Sequence, residues 1–177
     1  FKNTDIKNVI ESKLDGKSIS ASLKLYSTEH KSLNADNTIE AFPLSQSWAE
    51  GGERWSSITP TASNGASWRY RTEDTSSAWA TSSFGLGATG SFINQEGGGV
   101  WYTGSAFKSS QQFLRGENLD TKIDVTTIVQ KYSASLFAND IYPTGITNEG
   151  FLIKQPDSVE VNTSGSFGEM QYFSVDT

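Results

Sequence analysis

At 177 residues the chain has the length of one β-sandwich domain, and with no cysteine it excludes disulfides, thiolate zinc sites and cysteine nucleophiles together. Its 14 Lys and Arg against 20 Asp and Glu give a net charge of −6. The basic residues are scattered, which argues against nucleic-acid binding because phosphate recognition needs a basic stripe, and no apolar run approaches the roughly 18–20 residues of a membrane-spanning helix.

The hydrophobic fraction of 35% and the charged fraction of 19% fit neither a helical bundle nor a disordered charged chain. Thr, Tyr, Phe and Trp suit a pleated, half-buried surface, and Gly and Ser supply turns. The chain opens on Phe1 and shows no leader, so an N-terminal piece is expected to have been removed or never included.

In chain order, Ile6, Val9 and Ile10 stand at helical spacing after Asn3 and Thr4, predicting one or two helical turns that close before Gly16. Ile19, Ala21, Leu23 and Leu25 then alternate with Ser20, Ser22 and Lys24, the clearest strand signal in the protein. Residues 27–37 read as polar and turn-like. A second apolar stretch runs from Thr38 to Leu44, with Pro43 marking an edge or a strand end. From about Ser45 to Gly116 the chain is long, irregular and Trp-rich, carrying Trp48, Trp55, Trp68, Trp79 and Trp101. So many aromatics predict ordered connections and not a linker. Ile123 and Val125 mark a further strand, and Thr126 is placed to cap a short helix presenting Ile128, Val129 and Tyr132. Strands are predicted around Gly150–Lys154, Val159–Asn162 and Glu169–Val175. The whole chain, 1–177, is expected to be a single all-β domain: a two-sheet antiparallel β-sandwich, jelly-roll-like, with long ordered Trp-rich loops, one or two short helices and no closing strand at either end.

Little here carries chemistry. His30 is the only histidine, in the polar stretch Ser27–Lys31, and a solvated loop residue is the favoured reading over a catalytic one. One histidine and no cysteine leave no transition-metal donor set. Glu50, Glu53, Glu73 and Asp74 are read as loop charges or partners of Arg54, Arg69 and Arg71, in preference to a glycosidase carboxylate pair. Calcium is the one ion left open, with Asn139-Asp140 suggestive and no EF-hand pattern. Gly85-Leu86-Gly87 and Gly97-Gly98-Gly99 lack the residues of a phosphate loop and read as turns. Asn162-Thr163-Ser164 is a glycosylation sequon only in a eukaryotic secretory setting. The tryptophans admit two readings, buried anchors packed with arginine or an exposed sugar-stacking groove, and the anchors are favoured. No catalytic, cofactor-binding, metal-ligating or ligand-binding residue is assigned.

The order of segments resembles the DNRLRE-type β-sandwich modules of bacterial surface and secreted proteins. The matching residues are Ile19–Tyr26, Trp48-Ala49-Glu50-Gly51, Trp68-Arg69-Tyr70-Arg71 with Trp79, the glycines at 97–99, Ile123–Val129, and the Asn148-Glu149-Gly150 turn leading into Phe151-Leu152-Ile153. The resemblance covers about Phe1 to Ile153. The segment from Gly168 to Thr177 departs from the family's Ser-Arg-Glu signature. The resemblance implies a non-catalytic module, carbohydrate-binding or structural. The style of the chain and its tail Gln171–Thr177 is similar to structural proteins of tailed bacteriophages. The expectation is therefore a non-enzymatic virion structural or decorating protein, oligomeric and working through contacts with other structural subunits over about 1,000 Å² or more. It is expected to need no cofactor, nucleic acid or membrane. The alternative is a carbohydrate-binding or surface-adhesion module, extracellular or on the bacterial cell surface.

Overall fold

The computed structural model describes residues 2–14, 18–31, 36–50, 65–66, 70–72, 77, 79, 99–114, 120–136, 145–160 and 169–173. Its elements are α1 (Asn3–Val9), β1 (Ser22–Leu25), β2 (Ser27–Lys31), β3 (Asn37–Pro43), β4 (Ser109–Phe113), β5 (Thr121–Asp124), α2 (Thr126–Leu136), β6 (Phe151–Lys154), α3 (Asp157–Glu160) and β7 (Glu169–Tyr172). Strands therefore dominate. β1 pairs with β5, β2 with β7, and a three-stranded sheet runs β4-β3-β6; the pairs β1–β5, β2–β7 and β3–β4 are antiparallel. The chain divides into two compact units, Phe1–Phe42 with Gly104–Ile146 and Ile153–Thr177, and Pro43–Thr103 with Thr147–Leu152.

In the first unit, α1 forms where the helical spacing placed it and continues as a π-helical turn over Ile10–Leu14. Only Ile6 of the three spaced residues is buried; Val9 faces solvent. The alternation along β1 holds from Ile19 onward, with Leu23 and Leu25 half-buried and Ser22 and Lys24 exposed. Leu23 stands opposite Ile123 and Leu25 opposite Thr121, so one face of the β1–β5 ribbon packs inward and the other meets water. α2 carries Ile128, Val129 and Tyr132 as buried residues, as its spacing requires, and α1 packs against it.

The start of α2 differs from expectation in one atom. The Asp124 carboxylate accepts the Thr126 N–H at 2.9 Å and so supplies the capping oxygen. The Thr126 hydroxyl turns to β1's approach, accepting the Ala21 N–H at 3.0 Å and lying 3.3 Å from the Ala21 carbonyl. The Thr126 hydroxyl and backbone N–H beside it hold the Asp124 carboxyl below its ordinary range.

Three further expectations are corrected. Residues Ser27–Lys31 form β2, not a turn-like stretch, so His30 lies in a strand opposite Met170. A polar pentapeptide becomes a strand because a distant segment offers a ladder, and nothing local announces that partner. Ser109–Phe113 forms β4 inside the region read as irregular, paired with β3 from Asn37↔Phe113 to Ala41↔Ser109. Only Phe113 of its five residues is buried, which explains why no apolar alternation marked it. Val159 and Glu160, read as strand, belong to the helical turn α3 that follows Pro156, with the Val159 N–H on the Pro156 carbonyl at 2.8 Å. The stretch 161–162 lies outside the described residues.

The second unit keeps part of the Trp-rich region. Leu44 and Trp101 form an antiparallel bridge, and Ser45 N–H donates to the Val100 carbonyl at 2.8 Å. Trp79 and Trp101 are 6% and 7% exposed, so these two are buried anchors. Gly99 takes a positive φ of 95° with Leu44 Cδ2 3.2 Å from where a Cβ would stand, while the other two glycines of the triplet lie outside the described residues. Trp55 and Trp68 lie outside the described residues.

Candidate functional site

Among the described residues, exposed aromatic side chains occur in each of the two units. In the first unit β1 ends at Leu25 and β2 begins at Ser27, leaving Tyr26 between them with its side chain outward on the same face as Lys24. The register of β2 against β7 places Ser27 opposite Tyr172, and the ladder runs on one step as the Phe173 N–H donates to the Tyr26 carbonyl at 3.0 Å. Tyr26 and Phe173 are thus neighbours across the ladder, and they are 59% and 64% exposed. Large aromatics left in water at adjoining positions are what a protein interface uses as its anchors.

Behind this pair the polar groups are satisfied. The Tyr172 and Thr121 hydroxyls lie 2.8 Å apart, and Thr121 is buried. Met170 Sδ accepts from Asn37 Nδ2 at 3.2 Å. Asp120 Oδ1 accepts the Ser27 N–H at 2.9 Å. Burial raises the Tyr172 phenol above its ordinary value, and the hydrogen bond with Thr121 opposes that shift. These bonds tie β7 to β5 and β3 and so hold the exposed aromatic pair on a fixed support.

In the second unit Trp48 is 43% exposed, unlike Trp79 and Trp101. Its indole N–H donates to the Glu149 carbonyl at 2.7 Å. Gly150, at φ 92°, turns the chain there with its N–H on Asn148 Oδ1 at 3.2 Å, and its Cα side meets the indole edge. Asn148-Glu149-Gly150 is therefore a turn entering β6. Arg71 Nη1 donates to the Ser47 carbonyl at 2.9 Å, and the Ala49 N–H donates to the Arg71 carbonyl at 2.9 Å. Arg71 thus fastens the backbone that carries Trp48. An oriented, partly wet indole of this kind offers a flat apolar face to a ligand.

Most of the other residues singled out from the sequence fall outside the described residues. Glu50 is exposed, whereas Arg54, Arg69, Glu53, Glu73 and Asp74 lie outside the described residues, as do residues 85–87, 97–98, 139–140 and 162–164. Among the described residues no group of three or more His, Asp or Glu side chains is placed to hold a metal ion. No helix among them is long and apolar enough to cross a membrane. Trp48 was among the tryptophans read as either anchors or a sugar-stacking surface, whereas the Tyr26–Phe173 surface was not legible beforehand: Tyr26 followed an alternating strand, and Phe173 lay inside a predicted one. No protein-family model matches this chain, and no curated protein or solved structure does.

Proposed function

We propose that this chain is a non-enzymatic structural protein that works through protein–protein contacts on a jelly-roll-like antiparallel β-sandwich, and that its setting is the particle of a tailed phage. The observation that carries the reading is the Tyr26–Phe173 pair, two exposed aromatics joined across a ladder and backed by a bonded polar layer. Aromatic anchors on a rigid sheet lose little conformational freedom on docking, which is what repeated subunit contacts require. The phage setting rests on the sequence resemblance, in which the chain's tail is similar to phage structural proteins.

The test is assembly. The Tyr26→Ala/Phe173→Ala double variant is expected to weaken subunit association by about 2 kcal/mol or more, as hot-spot aromatics do. Analytical ultracentrifugation and incorporation into particles would read the loss. Unchanged association in a folded double variant would sink the proposal.

A second reading, a carbohydrate-binding module, is favoured by Trp48. Its held, partly exposed indole suits stacking against the C–H face of a sugar ring. On that reading a glycan array gives hits, and Trp48→Ala weakens binding of the best one about tenfold or more. An array without hits removes this reading and leaves the first.

A further inference from the structure

The outward face of the β1–β5 ribbon holds an electrostatic mismatch. Its ladder places Lys24 directly opposite Lys122, and both side chains are exposed. Like charges at directly opposed positions of an antiparallel pair destabilise it. Among the described residues neither ammonium has an acidic partner: the ion pairs formed are Lys7–Glu11 and Lys108–Glu40. Asp124, on the same face opposite Ser22, has its carboxylate on the Thr126 N–H instead. At the other end of the ribbon Asp120, just before β5, accepts from the Ser27 N–H. In a chain of net charge −6, two lysines are thus set side by side with no ion pair to either among the described residues. Tyr26 continues the same face two residues beyond Lys24, and Phe173 stands beside Tyr26.

The outer edge of β5 is guarded as well. The Gln111 carboxamide accepts the Lys122 N–H and lies 3.4 Å from the Asp120 carbonyl, taking the place of a neighbouring strand's peptide group. A partner is thereby discouraged from adding as a strand at that edge and is left the face, where side chains make the recognition.

We propose that Lys24 and Lys122, with Tyr26 and Phe173 beside them, form a docking surface for an acidic polypeptide segment bearing aromatic or apolar side chains between its carboxylates. The proposal rests on the protein-contact reading above and names the partner's chemistry. The paired ammoniums take the carboxylates, and the aromatics take the apolar groups. The surrounding net negative charge repels extended polyanions such as nucleic acid or an anionic membrane. A short acidic segment is attracted once it lies within the screening length of about 8 Å at physiological salt.

The experiment titrates the full chain with a fluorescently labelled synthetic peptide of alternating Glu and Phe. A Lys/Phe counterpart and phosphatidylserine vesicles serve as rival probes. The acidic peptide is expected to bind, to weaken as salt rises, and to lose about tenfold or more in affinity in Lys24→Ala/Lys122→Ala. That variant should unfold at the same denaturant concentration as the parent or a higher one, because it relieves the opposed charges. A Lys2→Ala/Lys13→Ala control should bind as the parent does. Absence of peptide binding, binding indifferent to Lys24 and Lys122, or vesicle binding that depends on these lysines would each overturn the proposal. If association fails in the Tyr26/Phe173 variant but ignores the lysines, the structural-protein reading stands and this inference falls. If the lysines govern peptide binding while assembly ignores the aromatics, the reverse holds.

Discussion

Replacing Gly145 by alanine is expected to destabilise the first unit by about 3 kcal/mol, the upper part of the range for overpacking a tight contact. A Cβ at Gly145 would stand 2.2 Å from the Ser135 amide nitrogen, 2.6 Å from Ser135 Cα and 2.7 Å from the Ala134 carbonyl carbon. All three are backbone atoms of the last turn of α2, so no side chain can swing aside to make room. Glycine is required here for close approach: the Ile146 N–H donates to the Lys131 carbonyl at 3.1 Å, and that bond draws the chain onto the helix end. Alanine must push the crossing segment away, lose that bond and uncover part of α2. Urea denaturation of Gly145→Ala against the parent is the measurement. A change below about 0.5 kcal/mol, the range of an ordinary surface substitution, would show that the crossing yields freely.

The second large effect is expected at Lys108. Glu40 sits in the middle of β3 and is only 5% exposed, with Lys108 as its ion-pair partner among the described residues. The register explains the meeting: Glu40 stands opposite Ser110, so Lys108, two residues earlier, reaches it diagonally on the same face. The pair is asymmetric, because Lys108's side chain is 45% exposed while Glu40's is 7% exposed. Removing the lysine strands a charge in the interior, whereas removing the glutamate leaves an ammonium already in contact with water. Lys108→Ala is therefore expected to cost about 2 kcal/mol or more, below the roughly 3–5 kcal/mol of a fully buried broken pair because water screens the lysine end. Glu40→Gln should cost less. Glu40→Met/Lys108→Met, which withdraws both charges together, should recover most of the loss, since a buried pair repays its desolvation poorly. Denaturation midpoints for the three variants check the order. Equal costs for the two single changes would refute the asymmetry.

Neither position could be found by reading along the chain. Glu40 was not singled out in the stretch Thr38–Leu44, and its burial follows from both faces of β3 being covered from Ile39 to Pro43. Gly145 was one glycine among sixteen until the helix end was laid against it. β4 was missed for a related reason: Ser109-Ser110-Gln111-Gln112 has no apolar alternation, and it becomes a strand because β3 offers it a ladder. Phe173, predicted within a strand, lies one step past β7, and its exposure beside Tyr26 depends on the β2–β7 register.

Where local physics suffices, the reading along the chain and the structure agree. The helical spacing around Ile6, the alternation from Ile19 to Leu25, the apolar run ending at Pro43 and the buried stripe of α2 are set by periods of two and about 3.6 residues. Such periods are properties of neighbouring residues. They account for the dominance of antiparallel strands and for where most elements begin. The tertiary structure alone decided that Ser27–Lys31 is a strand, that Trp79 and Trp101 are anchors while Trp48 is partly exposed, and that Lys24 faces Lys122. Each of these depends on which distant segment supplies the ladder or the cover. That choice is made by long-range pairing, and a strand's own residues state only that they can pair, not with what.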